Sequence, residues 1–316
     1  MKTINKHIIL GAGGVIGASL AKELLSNNEK VKLVSRKLHN TNNAESSIAD
    51  LVNIEEVKNV VEENSIVYLL AGLPYDIKIW QERWSIILRN TVEVCSAKNA
   101  KLIFFDNVYM YGRVNGKMDE NTPMNPCSKK GEVRAKIAEY LISEVKQKNI
   151  SALIARSADF YGPYAANSSI LNIMVFSNLA KGKKAQWFVN SNVKHSFTYT
   201  LDCGKSLYLL SRDESAFDQI WHLPTAKPAL TGKQFIELAA KYFEAKPAFT
   251  VLSKWMVKAA GLFNKPIKEI YEMLYQNEYD YEFDSSKFES HFNFKPTTYE
   301  AGIKKTIQLA QESLKG

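Results

Sequence analysis

The sequence has little cysteine and almost no long apolar run. Its three cysteines, Cys95, Cys127 and Cys203, form neither a Cys-x-x-Cys pair nor a metal-binding spacing, so we predict no metal site. Sparse cysteine in odd number suits a reducing compartment, and we expect a cytoplasmic protein. Glycines interrupt the apolar run 8–20, which argues against a signal peptide. No other apolar stretch approaches the roughly 20 residues that span a bilayer, so no membrane partner is predicted.

Basic residues outnumber acidic ones without forming a dense cluster. Lys and Arg total 41 against 33 Asp and Glu, which gives a net charge of +8. The densest local set is only Lys181, Lys183 and Lys184. A positive charge spread along the chain favours anionic partners in general. It does not favour nucleic acid, and no nucleic-acid partner is predicted.

Short apolar runs alternate with helical patterns through the first half of the chain. Strands are predicted at 7–10, 31–35, 66–71, 101–105 and 151–156, and helices at 15–25, 77–97 and 129–148. This alternation implies crossover connections and a parallel sheet, so the predicted fold class is α/β with a Rossmann-like doubly wound sheet.

The pattern changes after residue 163. A helix is predicted at 170–182, and 185–189 and 193–200 resemble a hairpin across Asn190, Ser191 and Asn192. We therefore expect a smaller C-terminal α/β lobe over residues 166–316, after a Rossmann domain over residues 1–165. Small segments of the lobe can return to the sheet.

A glycine-rich turn, GAGGVIG at residues 11–17, joins the first predicted strand to the first helix. Gly11 permits the tight turn, Gly14 lets the backbone approach a pyrophosphate, and Gly17 lets the helix pack closely. The helix N-terminus offers unpaired N–H groups to phosphates. Dinucleotide contacts are therefore predicted at Gly11, Gly13, Gly14, Val15, Ile16 and Gly17.

The second predicted strand ends at Ser35, Arg36 and Lys37, where an NAD site usually carries an acidic residue. An arginine fork suits a 2′-phosphate. We therefore predict NADP as the cofactor, with NAD as the alternative. The other interpretation of these residues is a solvated basic loop.

The order of motifs resembles that of the extended short-chain dehydrogenases, the family of NAD(P)-dependent sugar epimerases and dehydratases. The matching segments are the glycine turn, ADL at 49–51, AG at 71–72, YG at 111–112, RSADFYGP at 156–163 and FTYTLD at 197–202. The resemblance implies cofactor contacts at Asp50, Leu51, Ala71 and Gly72. Asp50 is placed to accept a hydrogen bond from the adenine amino group.

The catalytic positions depart from the family pattern. The family's Ser-Ser-x-x-Val-Tyr-Gly reads DNVYMYG at 106–112, which puts Asn107 at the catalytic Ser/Thr position. An amide can hydrogen-bond a substrate but cannot relay a proton as a hydroxyl can. The family's Tyr-x-x-x-Lys falls on Cys127 and Gly131, or on Lys130 and Arg134, depending on the alignment.

Tyr109 is the candidate replacement for the missing acid/base. Lys129 or Lys130, at the start of the next helix, would lower its pKa or hold the ribose. Asp106 is a second candidate base, or a cap. The alternatives are a packed aromatic ring for Tyr109 and a solvated helix turn for the lysines.

The predicted substrate residues also differ from the family. Asp159 replaces the Asn of Arg-Pro-x-Asn-x-Tyr-Gly-Pro, and an acid there suits a polyol, an amine or a structural hydrogen bond. His195 lies where the family's nucleotide-sugar epimerases place a diphosphate-binding Arg. The loss of that bidentate group disfavours a nucleotide-sugar substrate.

Three functions follow from these residues. The first is an atypical NAD(P)-dependent oxidoreductase or epimerase that acts on a hydroxyl or carbonyl compound such as a sugar derivative. The alternative is an NADP(H)-binding sensor without catalytic activity, and the third is a purely structural role. The predicted partner is a small-molecule substrate, and a homodimer is the assembly considered, with the oligomeric state left open.

Overall fold

The computed structural model describes residues 6–39, 43–165 and 168–312. Its strands are β1 (His7–Leu10), β2 (Val31–Ser35), β3 (Glu45–Ile48), β4 (Ile66–Leu69), β5 (Lys101–Asp106), β6 (Lys117–Met118), β7 (Ala152–Arg156), β8 (Asp159–Tyr161), β9 (Ala185–Phe188), β10 (Lys194–His195), β11 (Phe197–Tyr199), β12 (Ile220–His222), β13 (Leu230–Thr231), β14 (Phe249–Leu252) and β15 (Glu282–Phe283). Its α-helices are α1 (Val15–Ser26), α2 (Ile54–Val60), α3 (Ile77–Ala97), α4 (Lys129–Lys146), α5 (Ser177–Ala180), α6 (Thr200–Arg212), α7 (Gly232–Tyr242), α8 (Lys254–Gly261), α9 (Lys265–Ile270), α10 (Ser286–His291) and α11 (Tyr299–Glu312).

The described residues group into two compact units. The first takes its residues from Met1–Met110, Lys130–Arg156 and Cys203–Trp221, and the second from Tyr111–Lys129, Ser157–Asp202 and His222–Gly316. The domain boundary at residue 165 stays a prediction. Within the described ranges, no helix has both the length and the apolar character needed to cross a membrane.

The first unit is built on a seven-stranded sheet in the order β12-β7-β5-β4-β1-β2-β3. The six strands from β7 to β3 run parallel to one another. β1 and β4 are buried along their whole length, as strands covered on both faces must be. The predicted Rossmann-like α/β fold is confirmed.

Helix α3 covers the sheet with the face that the sequence pattern indicates. Trp80, Trp84, Ile87 and Leu88 are all buried. The side chain of Asp76 caps the helix by accepting a hydrogen bond from the Lys78 N–H at 2.9 Å. A polar cap followed by an apolar stripe explains why this helix has the bounds predicted from the sequence.

The strand order reverses at β1. From there, β2 and β3 follow on one side, whereas β4, β5 and β7 follow on the other. In open parallel sheets, ligands bind at the carboxyl ends of the strands next to such a switch point. The segments that follow β1, β2, β4 and β5 are therefore the candidates for a functional site.

The second unit has its own aromatic core. Tyr161, Phe176, Phe197, Phe235 and Tyr299 pack together among buried aliphatic residues. Burial raises the pKa of Tyr299 to about 12, so this phenol stays neutral at physiological pH.

The predicted hairpin across Asn190–Asn192 is wrong. β9 pairs in parallel with β14, β10 pairs antiparallel with β13, and β11 pairs in parallel with β8. The turn is real, because the Asn190 side chain accepts from the Asn192 N–H at 2.9 Å. However, the strands on either side of the turn bind partners far away in sequence.

His7, at the start of β1, is a buried histidine. The imidazole is 1% exposed, and its Nδ1 lies 2.8 Å from the Tyr68 hydroxyl. Burial, and then the charge of Arg212, lower its pKa to about 4. Glu29 lies 3.5 Å from Nε2, but it also binds Arg212 at 3.3 Å, so it does not offset the cost of burying a cation.

We predict that acid weakens the fold through this imidazole. Between its unfolded pKa near 6.5 and its folded pKa of about 4, the unfolded chain binds a proton that the folded chain does not. The free energy of unfolding attributable to His7 should therefore fall by about 2 kcal/mol from about pH 7 to about pH 5. Urea titrations of His7→Gln at both pH values should show a smaller fall than the parent. His291→Gln, at an exposed histidine, is the control, and an equal fall in all three proteins would contradict the assignment.

Candidate functional site at the carboxyl edge of the sheet

Two glycines of the turn after β1 are required by the protein's own packing. Gly11 has a φ of +95°, and a Cβ there would lie 2.5 Å from the Cα of Ala71. A Cβ on Gly17 would lie 2.9 Å from the Cα of Ala12. Both positions therefore exclude a side chain whether or not a ligand binds.

Gly14 is different, because nothing in the described protein requires a glycine there. Its φ is −85°, and a Cβ would meet its nearest neighbour, the Gly11 carbonyl oxygen, at 3.4 Å. Gly14 is the N-cap of α1, and no side chain caps the helix. The N–H groups of the first turn thus remain available at the positive end of the helix, which is how Rossmann folds hold a pyrophosphate.

The end of β2 presents cations and a histidine. Arg36 and Lys37 are exposed, and Arg36 makes no hydrogen bond or ion pair with any described residue. Ser35 Oγ lies 2.9 Å from His39 Nε2. The His39 ring lies 3.4 Å from the position of a Cβ on Gly13, so it adjoins the glycine turn. The sequence analysis did not predict that His39 lies at this site. The one feature that could have indicated it is its position four residues after Ser35.

The loops after β3 and β4 adjoin the same edge of the sheet. The Asp50 carboxylate accepts from the Val52 N–H at 3.2 Å, and Asn90 holds the loop by donating to the Leu51 carbonyl at 3.0 Å. Gly72 is exposed, with nothing within 4 Å of a Cβ placed on it. The adenine contact of Asp50 stays a prediction.

A buried charge cluster lies where β5 and β7 end. Asp106 Oδ1 accepts from Arg134 Nε at 2.7 Å and also from the Arg134 terminal nitrogen. Asp106 Oδ2 lies 3.8 Å from Arg156 Nε. All three side chains are at most 3% exposed. In the sequence, Arg134 was noted only because one alignment puts it at the Lys position of the family's Tyr-x-x-x-Lys. Its ion pair with Asp106 was not predicted.

The cluster holds the loop that carries the candidate acid/base. Asp106 Oδ1 also accepts from the Asn107 N–H at 2.8 Å, and Asn107 Oδ1 accepts from the Tyr109 N–H at 3.0 Å. The Tyr109 ring is half-buried and stacks on Trp80 with centroids 6.3 Å apart. The geometry thus places Asn107 and Tyr109 on one short, hydrogen-bonded segment.

Lys130 is not part of a solvated helix turn. It is 0% exposed, and its ammonium lies 4.6 Å from the centroid of the Tyr75 ring. Tyr75 contacts Trp80 edge-on, at 5.6 Å between centroids. Lys130 and Tyr109 therefore belong to one aromatic cluster, whereas Lys129 is exposed. A buried lysine beside aromatic rings is a costly arrangement that usually serves a purpose.

The second unit brings together the two predicted substrate residues. His195 Nε2 lies 3.0 Å from an Asp159 carboxylate oxygen. The imidazole is 1% exposed and is stacked between Phe197 and Tyr281, at 4.5 Å and 4.3 Å. The Asp159 side chain is 26% exposed. A buried histidine thus orients a partly exposed carboxylate, which suits the binding of hydroxyl or amine groups.

Comparison with known proteins gives the family of the chain. Residues 7–221 match the model of the NAD dependent epimerase/dehydratase family. The chain belongs to this family. The predicted resemblance to extended short-chain dehydrogenases is thereby confirmed.

Three proteins illustrate how far the sequence has diverged from its relatives. An "uncharacterized UDP-glucose epimerase" of Bacillus subtilis (strain 168) is 24% identical over 226 residues, which cover 64% of this chain and 71% of the relative. The dTDP-glucose 4,6-dehydratase of Bacillus anthracis in complex with NAD has a TM-score of 0.80 at 16% identity, covering 98% of this chain and 97% of that one. The UDP-glucose 4-epimerase of Thermus thermophilus in complex with NAD has a TM-score of 0.77 at 15% identity, covering 96% and 98%. At these identities the solved structures establish the fold.

We predict that Gly14 and Gly17 fail in different ways when given a side chain. Gly14→Val should leave the fold intact and weaken cofactor binding sharply, because its branched side chain would occupy the space for the pyrophosphate. Gly17→Val should lower the melting temperature, because its Cβ would meet Ala12 at 2.9 Å. Calorimetric titration with NADP(H) and thermal unfolding measure the two effects. Normal cofactor affinity in Gly14→Val would show that the pyrophosphate binds elsewhere.

Proposed function

We propose that the chain is an atypical NADP(H)-dependent oxidoreductase or epimerase that acts on a hydroxyl or carbonyl compound, such as a sugar derivative. The observation that carries this proposal is the open Gly14 position at an uncapped helix N-terminus beside the strand-order reversal. No described residue requires a glycine at position 14, whereas the close approach of a pyrophosphate would require one.

The residues present fit a bound dinucleotide. The N–H groups of the first turn of α1 would hold the pyrophosphate, and Arg36 would bind a 2′-phosphate. The solved Bacillus anthracis dehydratase and Thermus thermophilus epimerase are complexes with NAD. The choice of NADP here rests on Arg36 and on the lack of an acidic residue at the end of β2. When bound, the nicotinamide supplies hydride acceptance or donation. The chain must then move the proton of the reacting hydroxyl.

Tyr109 is the proposed acid/base. Its backbone is fixed through Asn107, and its ring is fixed by stacking on Trp80. The buried ammonium of Lys130 lies over the Tyr75 ring of the same aromatic cluster. A cation within about 4–6 Å of the Tyr109 hydroxyl would favour its phenolate over the phenol. Asn107 would hydrogen-bond the substrate oxygen. Asp106 is less suited to the role, because three donors already use its Oδ1.

A specific observation favours a second function, an NADP(H) sensor. Arg134 is taken up by Asp106 and by the Trp84 ring, whose centroid is 4.4 Å from the guanidinium carbon. One alignment puts Lys130 and Arg134 at the family's Tyr-x-x-x-Lys positions. Under that alignment Arg134, at the Lys position, stabilises the fold through Asp106 instead of binding the cofactor. A chain that keeps the cofactor turn but gives up the catalytic pair would report on NADP(H) without turning over a substrate.

We predict that Arg36 selects the cofactor. Arg36→Ala should weaken NADP(H) binding about 10- to 150-fold, the equivalent of about 1.5–3 kcal/mol for a hydrogen bond to a charged group, and should leave NAD(H) binding unchanged. Calorimetric titration of both cofactors measures this. Arg83→Ala, at an exposed arginine of α3, is the matched control. Equal affinity of the parent protein for NADP(H) and NAD(H) would contradict the prediction.

We predict that the Tyr109 hydroxyl carries the proton. A screen of sugars, aldehydes and ketones with NADPH identifies a substrate, after which Tyr109→Phe should lower kcat about 10²- to 10⁴-fold. Cofactor affinity should hold, because the ring and its stacking on Trp80 remain. Wild-type turnover by Tyr109→Phe would reject this role. Tight NADP(H) binding without turnover of any compound would favour the sensor.

A further inference from the structure

A patch of exposed apolar side chains lies on the second unit. Trp255, Leu262 and Phe263 are 72%, 77% and 94% exposed. With the exposed Ala259 they occupy positions i, i+4, i+7 and i+8, which is one face of α8 and of the turn that follows it. We call these four residues the α8 tip. A contiguous apolar surface of this kind marks an interaction site more often than isolated exposed residues do.

The α8 tip is held in place by packing on the opposite side of the helix. Val257 and Gly261 are buried. A Cβ on Gly261 would lie 3.0 Å from the Cα of Lys268, so α8 and α9 are in close contact at that point. The exposed side chains are therefore presented from a fixed pair of helices.

The backbone of the α8 tip is already satisfied. The N–H groups of Leu262 and Phe263 donate to the carbonyls of Ala259 and Ala260, both at 3.2 Å. Asn264 then caps α9 by accepting from the Ile267 N–H at 3.2 Å. Leu262 and Phe263 can therefore be transferred from water to an apolar environment without leaving their backbone N–H groups unbonded.

Positive charge surrounds the α8 tip. The segment 254–270 contains four lysines and one glutamate, a net charge of +3. Lys254 binds Glu278 at 2.5 Å. Lys258 and Lys268 are exposed and form no ion pair with any described residue. Their charges are therefore available to an external anion.

Glu278 offsets the charge of Lys254, whereas the carboxylates of Glu272, Asp280 and Glu282 have their hydrogen-bond partners outside the segment 254–270. Glu272 accepts from the Lys129 N–H at 2.8 Å. Asp280 accepts from the Lys194 N–H at 2.9 Å, and Glu282 accepts from the Lys194 ammonium at 3.3 Å.

We propose that the α8 tip docks peripherally on an anionic lipid bilayer. Trp255, Leu262 and Phe263 would enter the boundary between headgroups and acyl chains, while Lys258 and Lys268 would remain at the lipid phosphates. The expectation of no membrane partner rested on the lack of a spanning segment, which peripheral docking does not need. The proposal does not depend on the cofactor or on the substrate.

Charge favours a lipid surface over a second copy of the chain. In a symmetric dimer the same patch occurs on both sides, so the lysines around one α8 tip would face those around the other. Four apolar side chains also cover much less than the roughly 800 Å² per partner of a stable interface. An anionic bilayer instead places negative headgroups next to these lysines, and its hydrocarbon region accommodates the apolar side chains.

Trp255 gives the experiment a built-in probe. The other four tryptophans, Trp80, Trp84, Trp187 and Trp221, are all at most 6% exposed. Adding vesicles of phosphatidylcholine with phosphatidylglycerol as the minor component should shift the emission of the full-length protein to shorter wavelength. Pure phosphatidylcholine should give a much smaller shift. Trp255→Phe should abolish the shift but still sediment with the anionic vesicles.

Paired variants separate the apolar and the charged contributions. Leu262→Ser with Phe263→Ser should weaken co-sedimentation at least about tenfold, from the loss of apolar burial. Lys258→Ser with Lys268→Ser should weaken it about 30-fold, the equivalent of about 1 kcal/mol for each lysine near an anionic surface. The controls are Ile86→Ser, at an exposed apolar residue of the first unit, and Lys183→Ser with Lys184→Ser, which removes the same charge elsewhere. Both controls should bind as the parent does.

Several results would overturn the proposal. One is failure of the parent protein to sediment with anionic vesicles at about 0.1 M salt, where charges act over about 10 Å. Another is equal binding by all the variants. A third is sedimentation equilibrium without lipid that shows a dimer dissociated by Leu262→Ser with Phe263→Ser, because the occupant would then be a second copy.

Discussion

The buried carboxylate of Asp106 is the point on which the first unit depends. It ends β5, and the guanidinium groups of Arg134 and Arg156 reach it from α4 and from the end of β7. Replacing such a cluster by apolar residues can be neutral, but removing one member leaves a buried charge unpaired and costs about 3–5 kcal/mol. The cluster therefore fixes two strand ends and one helix relative to one another, at the edge of the sheet where the cofactor residues are predicted.

The same cluster limits the chemistry available there. Because Arg134 serves Asp106, it cannot also hold a substrate or a ribose, and Asp106 Oδ1 has little capacity left for a proton. What the cluster does provide is position, since Asp106 accepts from the Asn107 N–H and so starts the loop that presents Tyr109. A hydrogen-bonded loop that presents the Tyr109 phenol would suit an acid/base located at the strand end instead of on the helix. It is equally the arrangement that a sensor would keep after losing catalysis.

The sequence predicted best what depends on local pattern. β1, β2 and α3 have the bounds expected from apolar runs and periodicity, because burial on both faces or on one stripe leaves a direct mark on the sequence. β3 was missed, because Glu45–Ile48 is a partly exposed edge strand with little apolar signal. The hairpin failed because β9 and β11 pair with β14 and β8, and such distant pairing has no local signature. The burial of Lys130 was likewise hidden, since a lysine at a helix start normally lies in water.

The two proposals rely on one physical distinction among the cations. Those of the Asp106 cluster have an internal anion, so they act on folding and gain little from anything outside the protein. Arg36, Lys258 and Lys268 are exposed and have no acidic partner among the described residues, in a chain with a net charge of +8. Such side chains contribute little to stability, because an exposed charge is well solvated and screened. They make a favourable contribution only when an external anion binds to them and water is excluded from the contact. Phosphate is the anion that fits both sites. The glycine turn near Arg36 has an uncapped helix N-terminus, which suits the phosphates of a dinucleotide. The α8 tip has apolar side chains beside Lys258 and Lys268, which suits a phospholipid surface.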